Sequence, residues 1–228
     1  QECERALAHL RDVLMVEGPQ TIAAILLETV VGTNGILVPP DGYLAGVRAL
    51  CDEHGILLIA DEVMSGFARC GEWFAIDRWG VRPDLITFAK GVNSGYLPLG
   101  GVIVAPSVSS QFYAGNDAPI FHQGLTYSGH ATVAAVALKN LEIIERENLL
   151  GRVRELEPVL VEELEQLRHH PGVKDVRHIG LMGGVDLADG VSGLDVVAVL
   201  EGRGVHLRNL PNNILQISPP FIVTAEEI

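Results

Sequence analysis

The chain has 228 residues, 48% of them hydrophobic, and a formal net charge of −13. That is enough apolar material for one large domain or two modest ones, and the negative charge argues against nucleic acid and anionic membranes as partners. No apolar run approaches the roughly 20 residues that a membrane-spanning helix needs, and Cys3, Cys51 and Cys70, an odd set without metal-type spacing, suit a reduced cytoplasm.

Taken in chain order, apolar residues at 3, 6, 7, 10, 13 and 14 predict a helix over 2–16, stopped by Gly18-Pro19. Residues 21–29 read as a buried strand ending at Glu28, and 32–42 as a Gly/Pro-rich loop. A helix follows over 43–54 with Gly55 as its cap. Strands are predicted at 56–60, 84–88 and 100–104, around a polar loop 64–83, and a strong helix at 130–146. Alternating strands and helices, with strands that are apolar almost throughout, indicate an α/β domain with a mostly parallel, doubly wound sheet covered on both faces. After about Gly151 the texture changes to a charged helix (152–169), a helix near 194–202 and short strands near 173–178, 181–187, 205–208 and 214–217. The expected division is therefore a large domain, 1–150, and a smaller α+β domain, 151–228. Thr224 with Glu227 reads as a capping box. With no initiator Met and no signal peptide, the sequence reads as the C-terminal portion of a longer protein.

Ligands of parallel sheets bind beyond the carboxyl ends of strands, where Glu28, Asp61 and Lys90 all fall. Asp61 closes the run Ile56-Leu-Leu-Ile-Ala, and Lys90, 29 residues later, follows Leu85-Ile-Thr-Phe-Ala. An acid and an amine so placed are what a pyridoxal phosphate (PLP) enzyme requires: the amine bonds the cofactor, and the acid keeps its pyridine nitrogen protonated. A lysine at a buried strand end should be partly desolvated. The run ending in Asp61-Glu62 also suits the magnesium-binding strand of an ATPase, although the chain holds no G-x-x-x-x-G-K-[ST] loop.

Asp61-Glu-Val-x-x-Gly66-Phe-x-Arg69-x-Gly71, Arg82-Pro83-Asp84, Lys90-Gly91, Gly95-Tyr-x-Pro98-x-Gly-Gly101 and His122-x-Gly124-x-Thr126-Tyr-Ser-Gly129-His130 follow in order. Together they resemble the class III PLP-dependent aminotransferases of fold type I, over nearly the whole chain. The resemblance implies that Asp61 pairs with the pyridine nitrogen, Val63 packs on the ring and Lys90 holds the cofactor and shuttles a proton. Thr126 would bind the phosphate of a neighbouring subunit, making the protein a homodimer with a shared site. A hydroxyl and an N–H ahead of the helix beginning near His130 also suit an anion physically. Glu62 and Arg69 read as scaffold, Arg69 pairing with a nearby acid, and His122 and His130 as hydrogen-bonded loop histidines.

The sequence departs from the family members that use glutamate, which carry a glutamate and an arginine where this chain has Thr33 and Gln216. Arg208 is similar to the mobile arginine of pyruvate-dependent omega-aminotransferases, whose fork can grip a carboxylate. Met64 replaces a common glutamine and Ala131 a common proline. The family's phosphate-cradling loop and ring-stacking aromatic would precede Gln1. The expected reaction is amino transfer from an omega-amino acid or amine, of the beta-alanine or taurine type, to a keto acid such as pyruvate. Its rivals are an aminomutase or another transaminase specificity, the ATPase, and a non-catalytic homologue.

Overall fold

Helix α1 (Glu2–Glu17) packs on helix α2 (Tyr43–His54). The close approach is allowed by Gly46, where a Cβ would collide with Leu7. Gly55 ends α2 in the left-handed region, φ 67°, and its N–H caps the Cys51 carbonyl, as the sequence implied. The computed structural model describes all residues, 1–228, and divides into two compact units. One comprises Gln1–Thr29, Pro40–Met64 and Ile76–Ile143; the other comprises Val30–Pro39, Ser65–Ala75 and Ile144–Ile228.

The first unit carries a sheet in the order β1 (Ala24–Glu28), β2 (Leu57–Asp61), β3 (Leu85–Phe88), β4 (Gly101–Val104). β1–β2 and β2–β3 are parallel and β3–β4 is antiparallel. The mixed α/β class with a largely parallel sheet is the one expected from the sequence. Coverage of both sheet faces is not complete within this chain: Val102, Ile103 and Val104 of the edge strand are 51%, 45% and 38% exposed. Their apolar character alone could not reveal this, because an apolar strand reads the same whether or not a neighbour covers it. Thr21, read as the first residue of the strand ending at Glu28, instead closes a 3-10 turn that begins at Pro19. A short helix α3 (Pro106–Ser109) was not foreseen; α4 (Ala131–Arg146) was.

The second unit stacks α5 (Leu149–Leu167) on a sheet ordered β5 (Val173–Ile179), β6 (Met182–Leu187), β8 (Ile214–Ile217), β7 (Arg208–Leu210), all antiparallel. Leu149, Val153, Leu156, Leu160 and Leu164 fall on one helical face and are buried. Val153 to Leu164 share a core with Val176, Leu181, Val185, Leu215 and Val223. Each such side chain contributes roughly 1.5–3 kcal/mol when fully buried. Helix α6 (Gly193–Glu201) is N-capped by Ser192, whose hydroxyl accepts from the Asp195 N–H.

The strand expected at 205–208 lies instead at 208–210. Asn212 and Asn213, both at φ 62°, make the turn that returns the chain to β8, and this turn fixes Leu210 opposite Ile214. Turn chemistry sets hairpin register more strongly than the apolar residues ahead of it. The capping box is present: the Glu227 N–H reaches Thr224 Oγ1 at 3.3 Å, and the Thr224 N–H reaches Glu227 Oε2 at 2.8 Å. No helix is long and apolar enough to cross a membrane.

Candidate active site

Glu28, Asp61 and Thr87 stand side by side at the carboxyl ends of β1, β2 and β3. Asp61 is half-buried, and its Oδ1 accepts the N–H of Val63 at 2.9 Å. This two-residue turn aims the carboxylate and leaves Oδ2 for another donor. Thr87, a lone polar residue in an apolar strand, has its Oγ1 buried and unpaired. Sequence reasoning passed over it; its signal was the hydroxyl inside Leu-Ile-Thr-Phe. An acid with a spare oxygen beside an orphaned hydroxyl suits a ligand that brings an N–H donor and further polar atoms, as PLP does.

Lys90 lies three residues past Thr87 and opens a 3-10 turn with φ 41°. A lysine in the left-handed region costs about 1–3 kcal/mol, and such positions cluster at functional sites. Its amine is exposed and has no ion-pair or hydrogen-bond partner. The expected partial desolvation is thus not seen in this chain: the strand before Lys90 is apolar, but the residue itself has already turned out of the sheet.

Two asparagines that the sequence reading missed hold the segment after Lys90. Asn140 Nδ2, from α4, donates to the Gly91 and Val92 carbonyls at 3.0 and 3.1 Å, while its oxygen accepts Ser94 Oγ at 2.7 Å. Asn93, almost fully buried, donates to the Leu97 carbonyl at 2.6 Å. Their signal was weak, a turn-forming residue inside Gly91-x-Asn-x-Gly95 and a lone amide in a mainly apolar helix.

Glu62, read from the sequence as scaffold, is fully buried. Its Oε1 accepts the Thr29 hydroxyl at 2.7 Å and the Ile76 N–H at 2.8 Å, and its own N–H donates to the Thr87 carbonyl at 2.9 Å. One residue thus ties the ends of three strands together beside Asp61. At the opposite end of β3, Asp84 ties that strand to α2 and β2. It accepts Arg48 Nη1 at 2.7 Å and the Leu58 N–H at 2.8 Å. Burial pushes the Asp84 carboxyl up, but the Leu58 N–H and the Arg48 guanidinium together outweigh it and hold the group below its ordinary value.

Thr126 is a central residue of the turn closed by the Ser128 N–H on the Leu125 carbonyl, 2.9 Å. It is exposed, and its hydroxyl has no partner within the chain. Its neighbours Leu125 and Tyr127 line a largely apolar cavity of about 740 Å³. His122 and His130 are exposed and make no side-chain hydrogen bond, contrary to expectation, because the segment holding them runs along the surface.

In the second unit Arg69 has no acid. Its Nη1 donates to the Leu181 and Pro219 carbonyls at 3.0 and 2.7 Å, and its guanidinium lies 4.4 Å from the centre of the Phe221 ring. Burial lowers its pKa to about 10. The expected acidic partner is replaced by carbonyl dipoles and an aromatic face, which hold a cation without neutralising it. Arg208 is the first residue of β7 and is exposed.

The whole chain, residues 1–228, matches the family model described as "Aminotransferase class-III". The chain belongs to the class-III aminotransferase family. It is 38% identical to an omega-aminotransferase of Caulobacter vibrioides, with 97% of this chain covering 52% of that protein. It is 37% identical to the chloroplastic gamma aminobutyrate transaminase 3 of Solanum lycopersicum, with 98% of this chain covering 45%. Among solved structures, taurine:2-oxoglutarate aminotransferase from Bifidobacterium kashiwanohense, in complex with PLP and glutamate, superposes with a TM-score of 0.92 at 37% identity, covering 99% of this chain and 53% of that one. The chain spans about half the length of the relatives it matches. Family membership removes the ATPase reading of Asp61-Glu62, and the similarity to solved transaminases establishes the fold-type-I class for the sheet that carries both residues.

Proposed function

We propose that the protein containing this chain is a PLP-dependent aminotransferase that moves an amino group from an omega-amino acid or amine to a keto acid, pyruvate by preference. The observation that carries the reading is the placement of Asp61 and Lys90 at the ends of neighbouring strands, in a chain matched throughout by the class-III family. PLP, when bound, supplies an electron sink for the carbon from which the proton is removed. Asp61 accepts the pyridine N–H on its free oxygen and so holds a positive charge at the ring. Val63, whose N–H fixes Asp61, offers an apolar side chain to the ring face. Lys90 Nζ anchors the cofactor at rest and, once released, takes the proton from the carbon bearing the donor's amino group. Thr126 gives its hydroxyl and N–H to the phosphate of a neighbouring subunit's cofactor. Arg208 grips the carboxylate of the keto acid.

A homodimer is part of this reading. Ile120, Phe121, Leu125 and Tyr127, around Thr126, are each more than two-thirds exposed, an apolar stretch suited to burial against a second copy. A cytoplasmic setting goes with three cysteines that form no disulfide. Pyruvate is favoured over 2-oxoglutarate because Gln216 stands where glutamate-using members carry an arginine, so one cationic grip is present for one carboxylate.

The test is to add PLP to the full-length gene product, reduce with borohydride and map the labelled peptide. A pyridoxyl group on Lys90 is expected; label elsewhere, or none on folded protein, overturns the reading. Arg208→Ala should raise the pyruvate KM by about tenfold or more, as loss of a charge-assisted contact does, and change the KM of an uncharged amine much less. Equal effects on both would remove Arg208 from the substrate role.

A further inference from the structure

Four residues form one row across the second sheet. Arg177 is opposite Gly184, Gly184 opposite Gln216, and Gln216 opposite Arg208. Residues directly opposed on antiparallel strands send their side chains to the same face. Arg177, Gln216 and Arg208 therefore share a face, with a gap at Gly184. The loop 30–39 fills that gap. A Cβ on Gly184 would lie 2.8 Å from the Gly35 carbonyl oxygen and 3.2 Å from Ile36 Cβ. Arg177 Nε donates to the same Gly35 carbonyl at 2.9 Å.

The two arginines of the row are in opposite conditions. Arg177 is committed, paired with Asp175 at 2.7 Å and with Asp186 through both terminal nitrogens. Arg208 is exposed and faces no acid. Beside it, Gln216 is only 9% exposed. Its Nε2 donates to Ser218 Oγ at 3.1 Å, whereas its Oε1 is buried with no partner. Buried acceptors are seldom left unpaired, and each exception calls for a donor. The cross-strand neighbour with uncommitted donors is the Arg208 guanidinium, which has five N–H groups.

We infer that Gln216 is a specificity-determining partner of Arg208: its Oε1 accepts one guanidinium N–H and orients the fork toward a substrate carboxylate without neutralising its charge. The inference rests on the proposal that Arg208 binds the keto acid. A neutral amide is the residue type that permits both tasks. A glutamate at 216 would form an ion pair with Arg208 and compete with the incoming carboxylate. An aliphatic residue would leave the fork free to wander, at an entropic cost on each binding event. The ligand class is a 2-keto acid with one carboxylate at the gripped end, the class to which pyruvate belongs.

The test compares Gln216→Glu, Gln216→Leu and Arg208→Ala in the full-length, PLP-loaded protein, each checked for folding by thermal unfolding. Two quantities are read: the pyruvate and amine KM values, and the rate at which phenylglyoxal modifies Arg208, followed by peptide mapping. Gln216→Glu should raise the pyruvate KM about tenfold, the scale of one charge-assisted hydrogen bond, with a smaller change for the amine, and should slow modification of Arg208. Gln216→Leu should raise the pyruvate KM severalfold and speed modification. If Arg208→Ala raises the pyruvate KM while both Gln216 variants keep the parent KM and labelling rate, the pairing is wrong. If Arg208→Ala leaves the pyruvate KM unchanged, the substrate role of Arg208 fails instead, and labelling rates alone decide whether Gln216 holds it. Should one Gln216 variant not fold, the other decides.

Discussion

The two sheets treat their polar residues in opposite ways. At the carboxyl ends of the first, hydrogen-bonding capacity is left unspent: Asp61 uses one oxygen, Thr87 Oγ1 is orphaned, and Lys90 has no partner. In the unit that holds the second sheet, three arginines are spent on the fold. Arg177 is held by two acids, Arg69 by two carbonyls and a ring, and Arg152 by the carbonyls of Phe221, Ile222 and Val223. There, the exposed guanidinium of Arg208 and the buried Oε1 of its neighbour Gln216 are left without partners. Folding favours satisfied polar groups, so groups left unsatisfied mark where a ligand is to supply the missing partner.

The largest test of this contrast is Lys90→Ala. It should abolish transamination and borohydride labelling while leaving the unfolding midpoint close to that of the parent, since the amine contacts nothing in the fold; normal turnover would sink the mechanism. Glu62→Ala should act on stability, because the Thr29 hydroxyl and the Ile76 N–H both lose a buried acceptor. A loss of about 2–5 kcal/mol in denaturant unfolding is expected, with weaker PLP binding as the strand ends loosen. Glu62→Gln keeps a carbonyl oxygen and should lose less; equal losses would show that the buried charge, rather than the acceptor, is what matters. Arg69→Met should cost about 2–4 kcal/mol through two carbonyls and the ring contact. If Arg69→Met instead left stability intact and cut turnover, the division between spent and unspent groups would be wrong.

The smallest effect concerns pH. The folded chain holds the Asp84 carboxyl below its ordinary value, so its contribution is complete above the unfolded pKa of about 4 and is lost as pH falls through the lower folded value. Asp84→Asn should therefore lower stability at pH 7 by about 1–2 kcal/mol and flatten the decline that sets in as pH falls below about 4. Parallel melting curves for parent and variant across that range would remove Asp84 from the acid response.

Much of this could be read from the residues in order. Local rules act within a few positions, so the helix with its Gly55 cap, the helical face of α5, the Thr224–Glu227 box and the strands ending at Asp61 and before Lys90 were legible from spacing alone. The family resemblance came from motifs of the same short range. What the sequence left open depends on which residues meet across the fold. The buried knot at Glu62 joins residues 29, 62 and 76, and the clamp on the lysine segment comes from Asn140, nearly fifty positions away. Arg69 finds its carbonyls more than a hundred positions downstream, so its charge alone suggested an acid that is not there. The register of β7 was decided by two asparagines in the left-handed region, and only that register sets Arg208 beside Gln216. The sequence by itself determined the elements and the chemical types at their ends, because propensity, capping and apolar period are local. Only the tertiary structure decided which polar groups are satisfied, because a hydrogen-bond partner is a matter of distance in space and not of distance along the chain.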